Sequence, residues 1–240
     1  MSTDRTIRVD KRFCGPPTSG NGGYVCGRLA AFINGPAVVR LEVPPPLESE
    51  MQVREAGSGV ELVRGAAVVA RARPAVLSLD IPNAPSFADA EAAMPAYRGF
   101  RHHPFPTCFV CGPKREPGDG MRIFPGPVPG KGAGVASTWI PDASLCDSNG
   151  KVRPEFLWSA LDCPGAYSFE APEGTPLLLG ELAASLRGPV SVGERCIVVG
   201  WELARDGRRH FTGTALFTEA GECRGLARAT WFEAPAGPPG

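Results

Sequence analysis

Asn149-Gly-Lys-Val-Arg-Pro-Glu-Phe-Leu-Trp-Ser-Ala-Leu-Asp-Cys-Pro-Gly165 is the stretch on which the reading of this chain turns. Pro154 suits the first position of a helix, where its missing N–H costs nothing, and Glu155 just inside complements the positive end of the helix dipole. Pro164 and Gly165 then stop the helix. Between them Leu157, Ala160 and Leu161 form an apolar stripe at helical spacing, while Glu155, Ser159 and Asp162 recur at i, i+4 and i+7 on a neighbouring face. Asp162 thus falls in the last turn, where a negative charge opposes the dipole. A residue set against local preference is a candidate for function. The plain alternative is a carboxylate that is solvated or bonded to nearby backbone donors.

The chain has 240 residues, enough for one large domain or two of roughly 100 to 130 residues. Its 30 Gly and 26 Pro predict many turns, but 43% hydrophobic content argues for a folded core, with disorder confined to the ends. Basic and acidic residues both number 25, so no global field recruits nucleic acid or an acidic membrane surface. No run reaches the ~18 apolar residues of a membrane span, and the polar first residues lack a signal-peptide core, which predicts a cytoplasmic protein. In that compartment the eight Cys stay reduced, and most sit singly among apolar neighbours as small core residues.

Outward from the opening stretch, the second half reads as strands at Met121–Phe124 and Val135–Ile140, the helix, then strands at Leu177–Leu186, Cys196–Ala204, His210–Thr218 and Cys223–Phe232. The first half reads as a strand at Thr6–Phe13, a Gly-rich loop, a helix over Tyr24–Ile33 stopped by Asn34-Gly35-Pro36, and strands at Ala37–Val43, Glu50–Arg54, Val60–Arg64 and Ala66–Arg73. Between the halves, Leu79–Thr107 is Pro-rich and aperiodic apart from a short helix at Phe87–Ala93. The order of elements repeats. An offset of 132 residues sets Asp10 on Asp142, Gly22 on Pro154, Val25 on Leu157 and Leu29 on Leu161; later the offset drifts to 143, where Pro46-Leu47 meets Pro189-Val190. The expectation is two copies of one unit: residues 1–80, a linker at 81–107, and residues 108–240 with a disordered tail from about 234.

The runs Leu186-Arg-Gly-Pro-Val-Ser-Val-Gly-Glu194, Asp206-Gly-Arg-Arg209, Glu219-Ala-Gly-Glu222 and Ala227-Arg-Ala-Thr-Trp231 resemble the sheet half of hotdog-fold acyl-CoA thioesterases. Cys108-Phe-Val-Cys-Gly112 followed by Gly118-Asp-Gly-Met121 is similar to the start of phenylacetyl-CoA-type members of that superfamily. The resemblance covers residues 108–233 well and 6–75 weakly, and it rests on the order of the motifs. It implies an α+β double hotdog, each unit a helix wrapped by a curved antiparallel sheet, with the two sheets pairing into one.

The resemblance also implies a site. In the family the thioester carbonyl is held at the helix N-terminus of one unit, and a carboxylate about two turns along the other unit's helix attacks it or activates water. Helix N-terminal N–H groups do stabilise a developing oxyanion, and a desolvated carboxylate becomes basic enough to act near neutrality. The family's His-Gly-Gly pattern falls on Asn21-Gly22-Gly23 in the first unit and on Arg153-Pro154-Glu155 in the second; the acid position falls on Ala30 and on Asp162. One composite site is therefore intact: Gly22 and Gly23 as donors, Asp162 as acid. Its mirror, Pro154 with Ala30, is expected to be dead. Asn21, Tyr24, Glu155 and Ser159 are candidate substrate-binding residues. For three of these a plainer role competes: capping for Asn21, dipole compensation for Glu155, and a bond back to its own helix for Ser159.

Cys108-x-x-Cys111, with His102 and His103 upstream, has the spacing of a metal knuckle. A structural zinc site needs about four ligands, and a second knuckle is not evident, so packing is the expected role. No cofactor is expected beyond CoA as part of an acyl-CoA or acyl-carrier substrate, no partner among nucleic acids, and self-association through hotdog sheet edges or faces is the assembly the fold allows. Rival functions are a non-catalytic acyl-CoA or lipid-binding protein, a hydratase or dehydratase, which needs a His paired with an acid, and a purely structural or interaction protein assembled through exposed sheet edges.

Overall fold

The computed structural model describes residues 5–128, 134–172 and 174–234. In the first half lie β1 (Thr6–Arg8), α1 (Gly22–Ala30), β2 (Ala37–Leu41), β3 (Glu50–Ala56), β4 (Gly59–Arg64) and β5 (Ala67–Pro74). α2 (Phe87–Ala93) follows, then β6 (Gly126–Pro127), β7 (Val135–Trp139), α3 (Pro154–Ala160), α4 (Cys163–Tyr167), β8 (Leu177–Leu186), β9 (Cys196–Asp206), β10 (Arg209–Thr218) and β11 (Cys223–Glu233). The tail expected beyond 234 lies outside the described residues, and no helix among those described is long and apolar enough to cross a membrane.

The eleven strands make one antiparallel sheet in the order β1-β3-β4-β5-β2-β8-β11-β10-β9-β7-β6. With β6 set aside as an extra edge strand, the halves run β1-β3-β4-β5-β2 and β7-β9-β10-β11-β8, the same internal order of first, third, fourth, fifth and second strand. The halves join where β2 pairs with β8, Val39 opposite Leu182 and Arg40 opposite Glu181. The expected pairing of two sheets into one is thus realised.

The repeat holds residue by residue around the helices. Tight turns at Lys11–Phe13 and Ala143–Leu145 occupy equivalent places, and α1 and α3 begin at Gly22 and Pro154. Asn21 N–H donates to Phe13 O at 2.8 Å, and Arg153 N–H donates to Leu145 O at 3.0 Å. Farther on, Gly20 N–H meets Pro45 O while Val152 N–H meets Val190 O. Pro45 is therefore the counterpart of Val190, and the offset there is two residues longer than the sequence alignment placed it.

Two further expectations change. Met121–Phe124 is not a strand of the sheet; Met121 and Ile123 donate their N–H groups to Phe109 O and Val110 O, satisfying that backbone beside the Cys108 turn instead. Nor does one helix run to Pro164. α3 ends at Ala160 and α4 starts at Cys163 with Pro164 in its first turn, because a residue that cannot continue one helix is well suited to open the next.

α1 and α3 lie against one face of the sheet, burying Val25, Leu29, Phe156, Leu157 and Leu161 in the main core. The expected helix α2, within the 81–107 segment, covers the opposite face of the second half: Phe87, Ala90 and Ala93 pack with Ile197, Val199, Trp201, Ala215 and Phe217. β9 and β10 are consequently buried on both faces at Cys196–Trp201 and Thr212–Thr218, whereas β3 alternates, with only Met51 and Val53 buried.

Candidate active site

The site begins with two glycines one turn apart on α1. A Cβ at Gly23 would stand 2.5 Å from Asp162 Cβ and 2.9 Å from Trp158 O; one at Gly27 would stand 2.6 Å from Glu155 Cα. Only hydrogen at both places lets α1 and α3 touch along their lengths, so that the start of α1 meets the end of α3.

Asp162 sits in the bend between α3 and α4 (φ −86°, ψ −82°), not in a last helical turn. The residue is 2% exposed. Oδ2 accepts from Gly23 N–H at 2.8 Å and from Asn21 Nδ2 at 3.0 Å, while Oδ1 has no partner among the described residues. Burial raises its pKa from 3.8 to about 7, against the lowering effect of the Gly23 and Asn21 hydrogen bonds. Asn21 serves two roles at once: Oδ1 caps α1 by accepting from Tyr24 N–H at 2.9 Å, and Nδ2 steadies Asp162.

These groups open on a cleft of about 1140 Å³ whose lining includes Asn21, Gly22, Asp162, Leu179 and Trp231. Gly22 N–H, first in α1, has no acceptor among the described hydrogen bonds, and Gly22 lines this space. Gly23 does not: its N–H is committed to the carboxylate. The remaining expected contacts lie elsewhere. Tyr24 stacks on Phe13 with centroids 4.3 Å apart and accepts from Arg28. Ser159 donates to Glu155 O at 2.7 Å, the bond back into its own helix. Glu155 pairs with Arg153 at 3.6 Å.

Sequence reasoning missed Gly27, the second half of the helix contact, although an i, i+4 glycine pair is a legible signal of close packing. It also missed a thiol cluster at the rim. Cys163 joins Cys108 and Cys111 with all three sulfurs within 4.8 Å of one another. Asn21 Nδ2 lies 3.8 Å from Cys108 Sγ and 3.9 Å from Cys163 Sγ. Hydrogen bonds with the Cys108 and Cys111 thiols, and then burial, raise Cys163; burial raises Cys111; neighbouring thiols and backbone donors lower Cys108.

No protein-family model matches this sequence, and no curated protein sequence does. Solved structures do. A thioesterase II candidate of Thermobifida fusca superposes with a TM-score of 0.61 over 96% of this chain and 93% of its own, at 14% identity. The acyl-CoA thioesterase II TesB2 of Mycobacterium marinum gives 0.57 over 92% of each chain at 16% identity. A conserved protein of unknown function with hot dog fold from Alicyclobacillus acidocaldarius gives 0.51 over 96% and 93% at 9% identity. At such identities the likeness is one of fold, and it spans nearly the whole of each chain. Together with the repeated strand order across one sheet, it identifies the chain as a hotdog-fold protein carrying both units in a single polypeptide.

Proposed function

We propose that this protein hydrolyses an acyl-CoA or acyl-carrier thioester, with Asp162 as general base. The observation that carries the reading is the asymmetry of the carboxylate: Oδ2 is held by two donors while Oδ1 is buried and unpartnered, on a residue that lines the cleft beside the α1 N-terminus. A water on Oδ1 would give up a proton as its oxygen adds to the thioester carbonyl. The negative charge then developing on the carbonyl oxygen is met by Gly22 N–H and the positive end of the nine-residue α1. Collapse of the tetrahedral species breaks the C–S bond, releases the carboxylic acid and returns the proton to the leaving thiolate.

A base of pKa near 7 suits this work, since it is both ionised and proton-accepting at neutral pH. The role first expected for Gly23 changes accordingly: its N–H positions the base, and Gly22 is left to bind the carbonyl. The hydratase alternative draws no support from His103 or His210. His103 Nδ1 accepts from Phe105 N–H and Nε2 lies on Cys111, while His210, although paired with Glu233, is buried under Phe169 and is not among the residues lining the cleft. The test is thiol release from short, long and aromatic acyl-CoAs with Asp162→Asn alongside; undiminished turnover in the variant, or none by the parent on any substrate, would sink the proposal.

A further inference from the structure

Three thiols converge at the edge of the cleft from distant parts of the chain. Cys108 and Cys111 come from the turn before β6, Cys163 from the start of α4. The Cys108 and Cys163 sulfurs are 3.9 Å apart. Two thiolates bound to one zinc at Zn–S of about 2.3 Å in tetrahedral geometry stand about 3.8 Å apart, so this spacing is that of a ligand pair. A disulfide would require about 2.05 Å.

The turn itself is built as a thiolate cradle. Gly112 N–H donates to Cys108 O at 2.9 Å, and a Cβ on Gly112 would fall 2.5 Å from that oxygen and 2.6 Å from Cys108 N, so only glycine closes it. The backbone N–H groups of Val110 and Cys111 lie on the side of the Cys108 sulfur. Outside the three sulfurs stand two side-chain donors. Asn21 Nδ2 points toward Cys108 and Cys163, and His103 Nε2 lies 3.3 Å from Cys111 Sγ. His103 Nδ1 accepts from Phe105 N–H at 2.9 Å, so in the neutral ring Nε2 carries the proton and donates to sulfur. It is an outer partner of the cluster and not a ligand.

We infer that Cys108, Cys111 and Cys163 bind one zinc ion as thiolates, with the fourth coordination position open to the cleft and taken by water. Soft sulfur ligands in tetrahedral disposition select zinc over magnesium or calcium. Among the described residues no His, Asp or Glu ligand atom joins the three sulfurs within 4.8 Å, and all three cysteines line the cleft, so the fourth ligand comes from solvent. Binding displaces the thiol protons and ties the Cys108 turn to the helix that follows Asp162. The inference is independent of thioester hydrolysis, because metal content is read without substrate.

The experiment is elemental analysis of reduced full-length protein, purified without chelator or metal column, beside Cys163→Ser and, as a control outside the cluster, Cys223→Ser. About one zinc per chain is expected in the parent and the control, falling more than tenfold in Cys163→Ser. Should Cys163→Ser not fold, cobalt titration of the metal-stripped parent decides: tetrahedral thiolate–cobalt absorption saturating at one equivalent upholds the site, and addition of a small free thiol should then alter that spectrum. A parent protein that holds no zinc and gives no thiolate–cobalt absorption overturns the site; a cobalt spectrum unmoved by the thiol overturns the open fourth position.

Discussion

The two ends of the α1–α3 pair share a backbone and differ in what they can do. At one end the α1 start presents Asn21, Gly22 and Gly23 to Asp162; at the other the α3 start presents Arg153, Pro154 and Glu155, and the counterpart of Asp162 is Ala30. The first end holds a buried carboxylate with two donors. The second replaces the approaching glycine by a half-buried glutamate paired to Arg153, and it has no acid to hold. Pro154 also lacks the N–H that Gly22 has at the first end. The lesson is that a duplicated fold becomes asymmetric through the side chains at equivalent positions, with the strand order of both halves left alone.

The comparison is tested most severely by Asp162→Asn, for which thiol release should fall by roughly 10³-fold, the usual loss of a general base. Asparagine keeps an acceptor for Gly23 and Asn21, so the fold is retained. The same variant tests the burial of the charge. In metal-stripped protein, the folded-state pKa of about 7 lies above the ordinary 3.8. Below both values the two states bind the proton alike. Between them the unfolded chain ionises first, so stability falls as pH rises through this window, by about 4 kcal/mol in all, and Asp162→Asn should flatten that slope in denaturant midpoints taken from pH 4 to 8. Hydrolysis by the same metal-stripped parent should rise with an inflection near 7; a flat profile counts against a base at this position.

Smaller effects should follow at the helix contact. Gly23→Ala places a methyl 2.5 Å from Asp162 Cβ. A loss of about 1–3 kcal/mol by chemical denaturation is expected, with turnover reduced beyond what the unfolded fraction explains. Asn21→Ala removes a cap and one donor to the base, for about 1 kcal/mol of stability, and Asn21→Ser should recover the cap without recovering turnover. The smallest effect belongs to the mirror end: Glu155→Gln should leave kcat/KM within about twofold, since a partly exposed ion pair contributes little. A large loss there would count against an inert mirror end.

Much of the architecture was legible beforehand. α2 and β8 occupy their predicted spans, Phe87–Ala93 and Leu177–Leu186, and α1 and α3 start where the 132-residue offset pairs them. Those signals are local: period-two and helical hydrophobicity, punctuated by Gly and Pro. Met121–Phe124 misled because its alternation of buried residues serves a packed loop beside Phe109, where the backbone partner lies outside the sheet. Within the site, the reading of Asp162 depended on the repeat, and the structure shows the side chains of Tyr24, Ser159 and Glu155 stacked on Phe13, bonded to Glu155 O and paired with Arg153 respectively.

The sequence by itself determined that the chain is two copies of one strand, helix and sheet unit, with glycines at one helix start and an acid near the end of the other. Periodicity and turn chemistry act over a few residues, so they can be read there. Only the tertiary structure decided that Gly23 and Gly27 let the helices touch, that Gly23 N–H and Asn21 hold one oxygen of Asp162 and leave the other bare, and that Cys163 completes a trio with Cys108 and Cys111. The Asn21–Asp162 contact spans 141 positions, and the Cys108–Cys163 contact spans 55. Contacts at such separations depend on how whole elements pack, which no local pattern encodes.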